Sequence, residues 1–251
     1  MASNKSAAPG RKRNSGDAVV VTFFSIIIAI CYYIVMYRLF SRADTFLALH
    51  GVLKVLRWVF LGFAAALAVL AVKARRDGKE LAPRRFGWGA FIALMLDLSF
   101  FLMTFYYLDG AKLACIAFIT LAVLRLIYLI YGWEFTFAAI EFAAAEIALY
   151  LKIYYYGILA YIAVALAVLV IFAVFEVELV AKHHGGRLVV KEHRYYVLRK
   201  NTKYFITFLS AALSVIAIAA GLVSSVIGFY AMIALACVAF VYIVYYTVKL
   251  M

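Results

Sequence analysis

Four ionisable residues sit inside otherwise apolar stretches of this chain: Asp97, Arg125, Glu141 and Glu146. A charge at the centre of a membrane-spanning helix costs ~2.5–3.5 kcal/mol on insertion scales, and such residues normally face the bundle interior or a wet cavity. The helical rise gives their depths. Asp97 is ten residues past Gly87, where its span begins, so it lies ~15 Å deep. Arg125 is six residues before the end of its span at Tyr131, or ~9 Å deep. Glu141 and Glu146 are six and eleven residues past Phe135, at ~9 Å and ~16 Å.

Two matched levels follow. Arg125 and Glu141 share one on consecutive antiparallel helices, where an ion pair would fix how the two spans pack. Asp97 and Glu146 share another near the midplane. Two carboxylates brought together in an apolar site do not both ionise easily, so this pair could carry a proton or coordinate a cation. The competing reading has each acid protonated and hydrogen-bonded to a neighbouring helix, or one of them helping to satisfy Arg125. The span holding Glu141 and Glu146 is expected at the centre of the bundle, because Ala138, Ala139, Ala143, Ala144 and Ala145 allow close packing on more than one side.

The elements that position these groups are read from hydropathy. The 251 residues are 69% hydrophobic, against roughly 45–50% for soluble domains, so the lipid bilayer is the solvent. The pattern predicts an all-α bundle of eight transmembrane helices in a single polytopic domain, 18–251. The spans fall at about 18–40, 55–72, 87–108, 113–131, 135–156, 158–175, 204–223 and 226–247. Residues 1–17 read as a disordered basic cytoplasmic tail. The first apolar run is longer than a signal-peptide core and no small-residue cleavage site follows it, so it is expected to remain as a span. A re-entrant hairpin would leave seven spans and move the C-terminus outside.

Orientation follows from charge. The net charge is +13, and most Lys and Arg fall in alternate connections, which puts both termini in the cytoplasm. The basic connections hold Arg75, Arg76, Lys79, Arg84 and Arg85, then Arg187, Arg194, Arg199 and Lys200. They are expected to meet anionic lipid or a cytoplasmic protein. No nucleic-acid-binding module accompanies them. The connection at 182–203 fits a short hairpin or an interfacial helix equally well.

Catalytic and metal motifs are missing: there is no GxSxG, HExxH or Walker loop. The three cysteines have no metal spacing, so neither metal nor cofactor is expected. The sequence favours a small secondary transporter or an ion- or proton-conducting protein, with Asp97, Glu146, Arg125 and Glu141 forming its site. One alternative is a non-catalytic subunit or scaffold working through its basic loops. Another is a lipid-modifying enzyme using His183, His184 or His193. Short loops and the absence of a targeting peptide suit a cell membrane of the bacterial inner type. An oligomer is compatible with all three readings.

Overall fold

The computed structural model describes residues 15–41, 43–77, 82–155, 157–184, 187–190, 193–196 and 204–250. Seven helices account for nearly all of them: α1 (Ser15–Phe40), α2 (Ala43–Arg76), α3 (Ala82–Tyr131), α4 (Trp133–Tyr154), α5 (Ile158–His183), α6 (Tyr204–Val223) and α7 (Ser225–Leu250). Between α5 and α6, strands β1 (Arg187–Val190) and β2 (His193–Tyr196) pair antiparallel, with Arg187 opposite Tyr196 and Val190 opposite His193. Of the two forms open to this connection, the hairpin is the one adopted. Six helices, all except α4, are long and apolar enough to cross a membrane, which makes this an all-α, multi-pass membrane protein. Their outward faces carry Phe, Ile, Val and Leu side chains that are half exposed or more, a surface suited to lipid and not to water.

The chain divides into two compact units, 20–122 and, apart from its first residues, 123–251. In the N-terminal unit the 50-residue α3 is two arms, since Tyr107 has non-helical backbone angles (φ 48°, ψ −120°). Two observations fix the reversal. A Cβ on Gly110 would run into the backbone of Leu102 and Met103, although eight residues of straight helix would separate 102 from 110 by ~12 Å. Tyr32 on α1 also touches both arms: its hydroxyl is 2.7 Å from Ser99 Oγ, and its ring packs edge-on against Phe118 at 6.1 Å. The reversal falls between the expected spans 87–108 and 113–131. Leu53, Phe100, Met103 and Ala111 form this unit's core, covered by Tyr32, Met36 and Phe60.

The C-terminal unit is a four-helix bundle around α4, which touches α5, α6 and α7. Side-chain contacts give the directions. Glu141 meets Ser210, and Leu149 meets Gly221, so α4 and α6 run parallel. Glu134 meets Lys249, and Ile153 meets Gly228, so α7 runs the other way. Lys152 meets Tyr161, so α5 does too. The alanines do what their size allows: Ala138, Ala145 and Ala148 are buried in the same core as Phe135, Phe142, Ile171 and Ile218. At the far end of the bundle a Cβ on Gly228 would lie 2.9 Å from the Gly221 Cα. A glycine pair therefore sets the approach of α6 and α7, as small residues do between membrane helices.

The expected tail lies almost wholly outside the described residues; of it, 15–17 are already helical in α1.

Candidate ion-binding site

The described acids that are most deeply buried belong to the C-terminal unit, and α4 organises them. Gly132 holds φ 75° and ψ −166°, a left-handed backbone that a side chain would strain. That glycine lets the chain turn sharply from Tyr131 into Trp133. In the first turn of α4, Glu134 accepts a hydrogen bond from Lys249 Nζ at 2.6 Å. Beside it, the hydroxyls of Tyr131 and Thr247 are 2.9 Å apart. The start of α4 and the last turn of α7 are thus closed by one ion pair and one hydrogen bond.

Glu141 lies two turns further on, ~10 Å along the axis. It is 0% exposed. Its Oε2 is 2.6 Å from Ser210 Oγ on α6, while its Oε1 has no hydrogen-bond partner. From α5, Glu178 is also 0% exposed. It lies near enough to Glu141 for the two charges to repel. The Thr207 hydroxyl faces Glu178 but donates to the Tyr204 carbonyl at 3.0 Å, so neither Glu178 oxygen is hydrogen-bonded. Tyr242 on α7 completes the surroundings. Its ring packs edge-on against Phe142 at 5.1 Å, and its hydroxyl donates to the Ile206 carbonyl at 2.7 Å. Ser214, one turn beyond Ser210, is buried with its hydroxyl unpartnered.

The described ion pairs of the chain are Lys249–Glu134 and Lys112–Asp109. Among the described residues, therefore, no Lys or Arg forms an ion pair with Glu141 or Glu178; Lys182, one turn from Glu178, lies over the Phe208 ring at 5.2 Å. Buried carboxylates left this way are strongly destabilising unless a proton or a bound cation neutralises them. The donors are all oxygen, which suits a proton or a hard cation. Among the described residues no three His, Cys, Asp or Glu come together as a metal-binding group.

The four residues expected to form the site fare differently. Glu141 belongs to it. The expected Arg125–Glu141 ion pair does not form: Arg125 is exposed on the second arm of α3, and Glu141 is turned toward Ser210 on α6. A shared depth on adjacent helices does not give a shared azimuth. Asp97 and Glu146 belong to different units. Asp97 is partly buried with Oδ1 unpartnered, and Arg57 is the positive charge acting on it. Arg57 lies over the Phe101 ring at 4.6 Å, one turn from Asp97. Glu146 is partly buried, with Oε1 unpartnered.

Of the basic residues, Arg75, Arg76 and Arg85 are exposed at helix ends. Lys79, Arg199 and Lys200 lie outside the described residues, as do the side chains of Arg84, Arg187 and Arg194. His183 and His184 are exposed at the end of α5.

Glu178, Thr207 and Ser210 were not singled out from sequence. From sequence, Glu176 and Glu178 together read only as a continuation of the helix into the cytoplasm. The overlooked signal is register. Ala160, Ala167, Ile171, Glu178 and Ala181 are the buried residues of α5, and their spacing of seven, four, seven and three keeps them on one face. Thr207, Ser210, Ser214, Ala217 and Gly221 form a similar stripe on α6. Such small and hydroxyl-bearing stripes mark helix–helix contacts in membranes.

No protein family, no curated protein and no solved structure matches the chain.

Proposed function

We propose that the protein is a small secondary transporter or ion- or proton-conducting protein whose ion site is Glu141 and Glu178, in the C-terminal four-helix unit. One observation carries this reading: two fully buried carboxyl groups lie within electrostatic range of each other, and among the described residues neither has an ion-pair partner. A purely structural interior would gain by replacing such groups with apolar ones of similar volume. Ionisable residues at this depth are the usual mark of an ion path or proton relay.

The topology proposed with it is eight crossings. The two arms of α3 count separately, and α4 crosses although Glu134, Glu141, Glu146 and Lys152 make it the most charged helix of the bundle. Its three apolar neighbours shield those charges from lipid. Both termini are then cytoplasmic, as the distribution of Lys and Arg favours. Arg75, Arg76 and Arg85 are placed to meet anionic headgroups of a cell membrane.

The test is proton flux in liposomes reconstituted with the full chain, under an imposed pH gradient with the membrane potential clamped. Flux above that of empty liposomes in wild type, and its loss in Glu141→Gln and Glu178→Gln, are the expected results. Wild-type protein that passes neither protons nor alkali cations would instead make this a subunit or scaffold.

A further inference from the structure

The Ser210 hydroxyl makes two contacts of hydrogen-bond length, 2.6 Å to Glu141 Oε2 and 2.6 Å to the Thr207 carbonyl oxygen. Each is typical of an O–H···O bond, and each needs a proton between its oxygens. A serine hydroxyl has one proton. A carbonyl oxygen has none to give, so the Thr207 contact must use the proton of Ser210. The contact to Glu141 then needs a second proton, and among these three groups only the Glu141 carboxyl can hold it.

We propose that Glu141 is a proton-binding residue held as the neutral carboxylic acid, donating through Oε2 to Ser210 Oγ, which donates in turn to the Thr207 carbonyl. This deepens the ion-site reading above and rests on it for its functional meaning: the ligand at Glu141 is a proton and not a metal ion. Two oxygens 2.6 Å apart leave no room for a cation between them, since hard cations hold each ligand oxygen at ~2.0–2.6 Å and splay the ligands apart. The surroundings agree from every side. From α5, Glu178 contributes an acid and no cation. From α6 come the hydroxyls of Thr207 and Ser210. From α7, Tyr242 spends its proton on the Ile206 carbonyl. Among the described residues no Lys or Arg pairs with Glu141 to hold it ionised, and its remaining oxygen has no donor.

The experiment is infrared spectroscopy of the purified full chain in lipid at neutral pH, reading the carbonyl stretch of a protonated carboxylic acid. A band component is expected in wild type that is lost in Glu141→Gln and retained in Glu178→Gln. In Ser210→Ala it should persist and move to higher frequency, because the acid has lost the acceptor for its proton. Ser210→Ala is a small change within a stripe of small residues, so it keeps the test open should Glu141→Gln fail to fold. Three results would each overturn the proposal: no acid band in wild type, a band indifferent to both Glu141→Gln and Ser210→Ala, or a band abolished when sodium chloride replaces choline chloride. The flux assay is read separately. A Glu141 band without flux keeps the protonated acid and removes the transport reading. Flux that needs sodium, with no acid band, does the reverse.

Discussion

The two units of this chain differ in how they bury polar groups. In the N-terminal unit His50 Nδ1 and Asp97 Oδ1 are unpartnered, but several other polar groups inside the fold have partners. Tyr32 reaches Ser99, Thr104 donates to the Phe100 carbonyl at 2.7 Å, the Cys115 thiol lies 3.5 Å from the Ala29 carbonyl, and Asp97 feels Arg57. In the C-terminal unit, Lys249 is spent on Glu134 at one end, and the deeper acids Glu141 and Glu178 have no ion-pair partner among the described residues. Satisfied polar contacts hold helices together, whereas unsatisfied buried acids persist only for a ligand or a proton. That difference is the ground for proposing the ion site in the second unit and not in the first.

The strongest test of that contrast compares acids between the units. Glu178→Gln should lower proton flux by about a hundredfold, equivalent to ~2.7 kcal/mol in a barrier, with protein yield and melting temperature maintained. Asp97→Asn should leave flux within about twofold of wild type, or ~0.4 kcal/mol. A fall at Asp97 matching that at Glu178 would move the site into the N-terminal unit.

Next in size are the close approaches that shape each unit. In Gly228→Val the side chain must displace the Gly221 backbone, and in Gly110→Val that of Leu102 and Met103. Overpacking of this kind typically costs ~1–3 kcal/mol, seen as a lower melting temperature in detergent. If the site lies in the C-terminal unit as proposed, Gly228→Val should also perturb flux, while the flux of surviving folded Gly110→Val should be near normal.

Lys249→Ala leaves Glu134 buried without its counter-charge. Lys249 itself is 31% exposed, so water replaces part of the lost interaction and a loss of about 1 kcal/mol in stability is expected. The smallest effect belongs to the exposed pair Lys112–Asp109, 2.9 Å apart at the hinge of α3. Asp109→Asn should change stability by less than about 0.5 kcal/mol, measured by the same thermal unfolding. A larger loss would mean that the pair holds the two arms of α3 together.

Much of the architecture was legible because membrane helices are written in hydropathy. The arms of α3, the turn at Gly132 and the central position of the alanine-rich α4 all follow from apolar length and residue size. The candidate site was legible only in part. Glu141 stood out as an acid in an apolar run, but its partner was taken from depth alone, and Arg125 proved to face away. Glu178 escaped notice because an acid near the end of an apolar helix looks the same in sequence whether it enters the cytoplasm or turns into the bundle.

What the sequence determined by itself is the solvent of this protein, the helices that solvent demands, and which of them carry ionisable groups. Those follow from composition and period, which act within one helix at a time. Tertiary structure decided which groups meet: that Glu141 turns to Ser210 with Glu178 in electrostatic range, that Lys249 closes on Glu134, and that Arg125 is left on the surface. The reason is rotational. Depth along a helix is fixed by residue number, but the direction a side chain takes is settled by the packing of small residues against neighbouring helices, and that packing belongs to several segments at once.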